Sequence, residues 1–470
     1  MSESPALPVT LDRASAIPLA VQLAEELRAA AGDGRLRSGD RLPSTRALAA
    51  QLGVSRTVTA AAYEQLHAEG WITGKHGSGT YVTTAPPGSP SARPKPRAAE
   101  SSEVAEVDLR PGSPWASGID RSAWRRAWRG AADVAPLPRP TRAGVPAYRA
   151  AVAEHLLRHR GLRVGGESDG ELVLATGGTT AAVAELAASV LSPGDVVAVE
   201  EPGYQRAVQT MRAAGLVVVP APVDEDGLLL AAIPQGTKAV YCSPAHQYPL
   251  GRRMSAARRV ALVDRARREG WLVIEDDYDG ELRYDVAPLP LLASLAPDVV
   301  VHLGTTSKIL TPALGVGWMV APPPVIAAVL HHRDITGTSP SAAGQFVVVE
   351  LARNGDLGRH LRKLRRELSE RRGMLVDALT AADVSFLGDD AGAHLVVPLG
   401  SAAVECAVIA AAKARGITLD GLARHHFGPP AWFGIAVGYA ACSRAQLRAV
   451  IPDLLSLLAR SSDPAGTPSG

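Results

Sequence analysis

Residues 39–82 read GDRLPSTRALAAQLGVSRTVTAAAYEQLHAEGWITGKHGSGTYV, and this stretch combines two helical patterns with a hairpin pattern. Ser44 precedes a short helical segment that ends at Gly53, and Ser55 precedes a second one that ends at Gly70. Serine is a preferred N-cap, and glycine commonly ends a helix. Two short helices joined by so brief a turn are typical of a helix-turn-helix. The following WIT and TYV flank a glycine-rich GKHGSG, which predicts a β-hairpin, or wing.

The regions on either side of this stretch indicate where the domains begin and end. Residues 18–31 (PLAVQLAEELRAAA) place Leu19, Leu23 and Leu27 on one helical face. After the hairpin, TAPPGSPSARPKPRAAESSEVAE is rich in Pro, Ser and charge, which is typical of a linker. We therefore predict a winged helix-turn-helix domain, a Pro/Ser-rich linker and a larger domain at residues 1–83, 84–107 and 108–470.

The composition of the 470-residue chain is that of a folded protein without an overall charge bias. Apolar residues make up 46% and charged residues 20%, while 49 basic and 47 acidic side chains leave a net charge of +2. No global field therefore favours nucleic acid or a membrane surface. Three cysteines without C-x-x-C spacing argue against a disulfide framework or zinc finger and favour a reducing cytoplasm.

One uncharged stretch, residues 309–330, is long enough to cross a bilayer. It contains Pro312, Gly315, Gly317 and three consecutive prolines, which would break a spanning helix repeatedly. The N-terminus, MSESPALPVT, has neither the basic region nor the apolar core of a signal peptide. We therefore expect no membrane association and a cytoplasmic location.

From Glu171 onward, short β-rich runs alternate with helical runs such as residues 179–191 and 255–269. This alternation predicts an α/β domain whose mostly parallel sheet is covered by helices on both faces. Ligands bind such sheets beyond the carboxyl ends of the strands. The predicted strands are ELVLAT, DVVAVE, LVVVPAPV, KAVYCSP, WLVIEDD, VVVHLGT and GVGWMVAP.

Four loops after these strands carry residue types that suit a ligand site, namely Gly177-Gly178-Thr179-Thr180, Glu201-Pro202-Gly203-Tyr204, EDDYD at 275–279 and TTSKIL at 305–310. Backbone N–H groups at a helix start bind anions. Four carboxylates in the five positions 275–279 repel one another unless a cation or a protonated nitrogen lies nearby. A metal ion bound by these carboxylates is the alternative explanation, but the neighbouring His and Cys residues do not have the spacing of metal ligands.

Lys308 is one of only six lysines in the chain. Desolvation would lower its pKa and make its amine a nucleophile, whereas a salt-bridged surface lysine is the commoner case.

The N-terminal string resembles the winged helix of the GntR family over residues 18–83. That resemblance implies that the second helix enters the major groove of duplex DNA and that the wing meets a phosphate or the minor groove. The implied DNA-binding residues are Arg46, Ser55, Arg56, Thr57, Thr59, Lys75, His76 and Gly77. The alternative is that Arg46 and Arg56 are solvated surface charges. Residues 1–83 hold eight Lys or Arg and eight Asp or Glu, so we expect modest affinity per domain and a homodimer on two half-sites.

The larger domain is similar to fold type I aminotransferases, which use pyridoxal 5'-phosphate (PLP). The matching strings include LVLATGGTTAAV, SPAHQYPLG, VIEDDYDGELRY and GTTSKILTPALGVGW. Together with the winged helix, they resemble the MocR-type regulators of the GntR family. The resemblance implies a small C-terminal α+β subdomain at about 340–460 and a head-to-tail homodimer.

The same resemblance assigns roles to individual cofactor-binding residues. Lys308 would bond covalently to PLP, and Asp276, chosen over its acidic neighbours, would pair with the protonated pyridine nitrogen. Tyr278 would contact the phenolic oxygen and Tyr204 would stack on the ring. His246 and Gln247 would lie near the cofactor oxygen. The phosphate would be held by Gly178, Thr179, Thr180 and Thr305.

Two positions depart from the aminotransferase pattern. Gly315 stands where the family has an arginine that binds the phosphate, seven residues after Lys308. The segment Ala431–Ala440 (AWFGIAVGYA) carries no charge where such proteins usually have an arginine for a substrate carboxylate. Arg206 and Arg424 are candidate substitutes.

Three functions remain open on this evidence. The leading hypothesis is a DNA-binding transcriptional regulator that senses PLP, or an amine or amino-acid effector joined to it. The second is an aminotransferase with an accessory DNA-binding domain. The third is a regulator whose larger domain is a PLP-free scaffold. The two departures lead us to expect little or no transaminase activity, and we assign no catalytic residue.

Overall fold

A computed structural model describes residues 9–33, 35–75, 79–83, 107–164, 172–284 and 290–459. The chain forms two compact units, residues 1–102 and 103–470, which we describe separately. Their boundary falls inside the segment predicted as a linker. Among the described residues, no helix is long and apolar enough to cross a membrane.

The N-terminal unit has the predicted order of helices and strands. Its elements are α1 Leu19–Gly32, β1 Arg41–Leu42, α2 Thr45–Leu52, α3 Arg56–Ala68, β2 Ile72–Lys75 and β3 Gly79–Val82. β3 lies between β1 and β2 and pairs antiparallel with both. The backbone N–H of Ala47 donates to Ser44 Oγ at 3.2 Å, and that of Val58 donates to Ser55 Oγ at 3.3 Å. Both predicted N-caps are therefore confirmed.

Gly53 shows why the turn between α2 and α3 can be so short. It adopts the left-handed conformation, with φ 63° and ψ 34°, and its N–H closes the last turn of α2. A residue with a Cβ would adopt this conformation only at an energetic cost. α1, α2, α3 and the sheet then bury one apolar core that includes Leu23, Leu27, Leu48 and Leu66.

The larger unit is built on an eight-stranded sheet in the order β5-β12-β11-β10-β9-β6-β7-β8. Its strands are β5 Val173–Thr176, β6 Val196–Glu201, β7 Val217–Asp224, β8 Gly227–Leu228, β9 Thr237–Cys242, β10 Leu272–Asp276, β11 Val300–Thr305 and β12 Gly317–Val320. β7, β6, β9, β10 and β11 are parallel, whereas β12 runs antiparallel to both of its neighbours. The predicted mostly parallel α/β sheet is therefore confirmed.

Helices cover both faces of this sheet and create two apolar cores. They are α4 Arg121–Ala132, α5 Pro146–Arg160, α6 Thr179–Ser189, α7 Gln205–Ala213, α8 Ala256–Glu269, α9 Leu292–Leu295 and α10 Pro323–Thr336. Adjacent residues of β10 point to opposite faces. Val273 packs in the core with α5 and α8, and Ile274 packs in the core with α6, α7 and α10. Burial on both faces accounts for the continuous apolar runs of the central strands.

The C-terminal part of this unit mixes helices with a small sheet. Its elements are α11 Ala342–Arg353, α12 Asp356–Ala381, β13 His394–Pro398, α13 Ala402–Lys413, β14 Ile417–Thr418, β15 Asp420–Gly421, β16 Gly434–Gly438 and α14 Arg444–Ala459. β16 lies between β13 and β15 and is antiparallel to both. β4, Val107–Asp108, pairs with β14, so the start of the unit is joined to its end.

Candidate functional site

The exposed start of α3 carries most of the residues predicted to contact DNA. Arg56 and Thr57 are exposed in its first turn, and Arg46 is exposed on α2. Ser55 is exposed as well, with its hydroxyl engaged in capping α3. These side chains are therefore accessible to a partner. Lys75 ends β2, and the predicted wing residues His76 and Gly77 lie outside the described residues.

Thr59 does not belong to this exposed face. Its side chain is fully buried, and its hydroxyl donates to the carbonyls of Thr45 and Arg56 at 2.8 and 3.0 Å. An α-helix turns by about 100° per residue, so Thr57 lies about 200° away from Thr59 and faces outward where Thr59 faces α2. Arg56 is exposed because it is the first residue of the helix. The prediction that Thr59 contacts DNA is wrong: this residue holds α3 against α2.

Asp276 is the last residue of β10 and lies at the carboxyl ends of the parallel strands. We call this side of the large sheet its edge, and it is where open α/β sheets bind ligands. It is buried, and its Oδ2 accepts a hydrogen bond from the hydroxyl of Tyr241 on β9. Its Oδ1 has no partner among the described residues. Burial raises the pKa of Asp276 to about 7. A buried acceptor without a donor costs free energy, so Oδ1 is prepared for a donor that a ligand would bring.

The other three carboxylates of the acidic run are bound by the protein itself. Arg160 donates to both oxygens of Asp277 at 2.5 and 2.9 Å, with both side chains fully buried. Asp279 contacts His246 Nδ1 at 2.8 Å, and Glu275 accepts from two backbone N–H groups at the start of α9. Each acid therefore has a separate partner, which reduces their mutual repulsion.

Lys308 follows β11 and points toward the same edge. Its Nζ donates to the carbonyl of Gly112 at 2.7 Å. Burial lowers the pKa of Lys308, and the negative charges of Asp279 and Asp276 oppose that change. The amine is bonded to a carbonyl and partly desolvated, which differs from the surface salt bridge considered as its alternative. A less basic amine is a better nucleophile at neutral pH.

The segment at residues 177–180, which was predicted to bind an anion, and the aromatic Tyr204 also meet at this edge of the sheet. Gly178 is the N-cap of α6 with φ 109°, and a Cβ placed on it would lie 3.5 Å from Thr305 Oγ1. Thr180 Oγ1 lies 3.2 Å from the hydroxyl of Tyr204. Thr179 is the first residue of α6, and Thr305 is the last residue of β11. N–H groups and hydroxyls at a helix start are suited to an anion.

His246 connects the acidic run to the aromatic residues of the site. Its Nδ1 lies 3.1 Å from the hydroxyl of Tyr278 and 2.8 Å from Asp279 Oδ2. Gln247 has a different role, because its amide nitrogen donates to the carbonyls of Pro202 and Tyr248. His246 and Tyr278 therefore contact the acidic run directly, whereas Gln247 joins its own loop to the loop that follows β6.

Sequence reasoning missed three participants, namely Tyr241, Arg160 and Gly112. Tyr241 lies inside an apolar run on β9, opposite Ile274 of β10, so only the order of the strands reveals its bond to Asp276. Arg160 ends α5 and is 117 residues away from Asp277 in sequence. Gly112 acts through its backbone carbonyl, which leaves no side-chain signal.

The two departures from the aminotransferase pattern have clear structural settings. Gly315 is left-handed, with φ 58°, and no atom lies within 4 Å of a Cβ placed there. The charge-free β16 is buried throughout, and its Ala436 packs against Leu250 and Leu422. Arg424 donates to both oxygens of Asp420, so its charge is already neutralised. Arg206 is exposed, and its charge contributes to lowering the pKa of Lys308.

Comparison with known proteins agrees with the two-part architecture. Residues 19–82 match the family of bacterial regulatory proteins called gntR, and residues 138–454 match aminotransferase class I and II. The HTH-type pyridoxine biosynthesis transcriptional regulator PdxR of Corynebacterium glutamicum is 33% identical over 453 residues, which cover 95% of this chain and 98% of that protein. The chain belongs to the MocR-type regulators of the GntR family.

Other matches support the same assignment for both parts. The probable rhizopine catabolism regulatory protein MocR of Rhizobium meliloti is 32% identical over 475 residues, covering 95% of either chain. A kynurenine aminotransferase from Pyrococcus horikoshii shares 23% identity with a TM-score of 0.68, over 76% of this chain and 91% of that one. This GntR-family chain is therefore a transcriptional regulator whose larger unit has the fold of a PLP-dependent aminotransferase.

Proposed function

We propose that this MocR-type regulator binds PLP at the edge of its large sheet and changes its DNA binding in response. The observation that carries the proposal is the buried Oδ1 of Asp276, which has no partner among the described residues. A protonated pyridine nitrogen is a donor of the right kind for that atom. Lys308 lies in the same loop cluster, with a depressed pKa.

The residues of the site divide into groups that would hold separate parts of PLP. Asp276 would receive the ring nitrogen, and Tyr278 the phenolic oxygen. Thr179, Thr180, Thr305 and the N–H groups beside Gly178 would hold the phosphate, with Tyr204 against the ring. Bound PLP would supply an aldehyde that bonds to the Lys308 amine and a ring that withdraws electrons. Tyr241 holds one oxygen of Asp276 by a hydrogen bond, so the other oxygen would accept from the ring nitrogen.

We further propose that PLP binds reversibly and that amino acids are turned over slowly or not at all. Gly315 provides no guanidinium for the phosphate, and the uncharged β16 provides none for a substrate carboxylate. Of the two candidate substitutes, Arg424 is paired with Asp420, so Arg206 is the one that we propose for either anion. A weakly held cofactor suits a sensor, which must be partly empty at cellular concentrations.

Purified full-length protein tests these proposals. Titration with PLP should give a saturable visible absorbance band, and saturation should change the affinity for DNA carrying the regulated promoter. A panel of amino acids should give no keto-acid product. Failure to form any band would support the scaffold function instead, and rapid transamination would support an enzyme.

A further inference from the structure

A pocket lies next to the segment that follows Lys308. It has a volume of about 280 Å³ and is bordered by the start of α4, the start of α12 and the residues after Lys308. Its apolar wall contains Ile119, Leu310, Leu351 and Leu357. Leu310, two residues after Lys308, lines this pocket, so the pocket borders the segment that carries the lysine. The volume is near the lower limit for pockets that bind small organic molecules.

Positive charge exceeds negative charge around this pocket. Its charged lining residues are Arg126, Arg359, Lys363, Asp120 and Asp356. Asp356 is nearly buried and is bonded to both arginines, whose side chains are 50% and 59% exposed. Two guanidinium groups on one carboxylate leave one positive charge unbalanced.

The two remaining charged residues do not remove this excess. Lys363 Nζ donates to the carbonyl of Gly118 at 2.8 Å and lies over the ring of Trp115. Asp120 is occupied as the N-cap of α4, where it accepts from the N–H of Ala123 at 2.8 Å. Three cations therefore face two carboxylates, beside an apolar wall. That combination suits a ligand with one negative group and an apolar body.

His360 connects this pocket to the proposed PLP site. It lines the pocket from α12, and its Nε2–H donates to the carbonyl of Ile309 at 2.6 Å. Ile309 directly follows Lys308. A ligand that moves the first turns of α12 would therefore also move the backbone that positions the lysine amine.

We propose that this pocket binds a small organic carboxylate with an apolar body and that its occupation changes the affinity for PLP. The binding step is independent of the proposed function, whereas the effect on PLP rests on it. Arg126 and Arg359 bind the carboxylate of the ligand, and the Ile119–Leu310 side of the pocket takes its apolar part.

Calorimetric titration of the full chain with hexanoate tests the binding step. Hexanoate should bind saturably, while hexanamide and inorganic phosphate should bind at least ten-fold more weakly, because one lacks the charge and the other the apolar body. Arg359→Gln should weaken hexanoate binding about ten- to hundred-fold through loss of a charge-assisted hydrogen bond. Ala123→Leu, which fills the pocket, should have a similar effect. Arg353→Gln, an exposed arginine on α11 that pairs with Glu350, is the matched control.

Equal binding by wild type and Arg359→Gln, or equal binding of hexanoate and phosphate, would overturn the proposed site. PLP titrations with and without hexanoate test the connection to Lys308. Hexanoate should shift the PLP concentration for half-saturation in wild type and Arg353→Gln, and not in Arg359→Gln. Hexanoate binding without such a shift would overturn the connection. If no PLP band forms at all, the proposed function fails while the calorimetry still decides the pocket.

Discussion

Asp276 is buried, with one carboxylate oxygen bonded to Tyr241 and the other without a partner in the described part of the chain. The stability of the folded protein therefore depends on whether this carboxyl group is protonated. Burial raises its pKa from an ordinary value near 3.8 to about 7. Between those two values, the folded protein binds a proton that the unfolded chain has released. Stability of the PLP-free protein therefore falls as the pH rises through this range.

Asp276→Asn should remove this dependence, because the amide is neutral at every pH. The free energy of unfolding of the variant minus that of wild type should increase between pH 5 and pH 8. The increase should reach at least about 1.4 kcal/mol, the value of one pKa unit. Urea unfolding of the PLP-free proteins measures it, and a constant difference would show that Asp276 is already ionised at pH 5. The variant should also bind PLP more weakly.

Lys308→Ala should abolish covalent attachment of PLP. In wild type, reduction with borohydride should fix the cofactor to the peptide that contains Lys308, as shown by mass spectrometry. The variant should show neither the visible band nor the modified peptide. Lys413→Ala, at an exposed lysine that ends α13, should retain both. If wild type and Lys308→Ala gave the same labelled peptide after reduction, Lys308 would not be the residue that binds PLP.

Gly315→Arg should tighten PLP binding by roughly ten- to hundred-fold, the value of one charge-assisted hydrogen bond to phosphate. The left-handed backbone at φ 58° makes a side chain there cost about 1–2 kcal/mol of stability. Gly315→Ala carries the same strain without the charge and is therefore the control. PLP affinity of Gly315→Arg no higher than that of Gly315→Ala would mean that another arginine, such as Arg206, already serves the phosphate.

Among the elements, α3 is the helix to which the winged-helix resemblance assigns DNA recognition. Arg56→Ala should weaken operator binding by about 1–3 kcal/mol at about 150 mM salt and relax the preference for one base pair. Arg37→Ala, an exposed arginine outside α2 and α3, is the matched control. Electrophoretic mobility shifts with operator and with unrelated DNA measure both effects. An unchanged operator affinity in Arg56→Ala would contradict the assignment.

The elements also show which features a sequence reveals. Helix ends at Ser44 and Gly53 were predictable because capping depends on neighbouring residues alone. The helix face on which Thr59 lies was not predictable from the sequence, because a threonine hydroxyl can bond either to DNA or to a backbone carbonyl of α2. Tyr241 and Arg160 were missed because their contacts depend on strand order and on residues far apart in sequence.

For the whole molecule, we expect a homodimer that binds two half-sites. Residues 1–83 have equal numbers of basic and acidic side chains, so a single domain gains little from the phosphate backbone. Sedimentation of the full chain should give a dimer, and a footprint should show two half-sites separated by whole helical turns. Inserting half a turn between them should reduce affinity strongly, and unchanged affinity would indicate independent binding by each domain.

The core of the N-terminal unit has an evolutionary consequence. Among the residues that the structure describes, the buried members of this core lie between Leu23 and Val82, within one continuous piece of chain. A single recombination event after Val82 can join the same DNA-binding domain to a different effector-binding domain. Neither hydrophobic core is interrupted by such an event. DNA-binding specificity and effector specificity can therefore be inherited separately. A descendant protein can respond to a new effector while it still binds the same promoter.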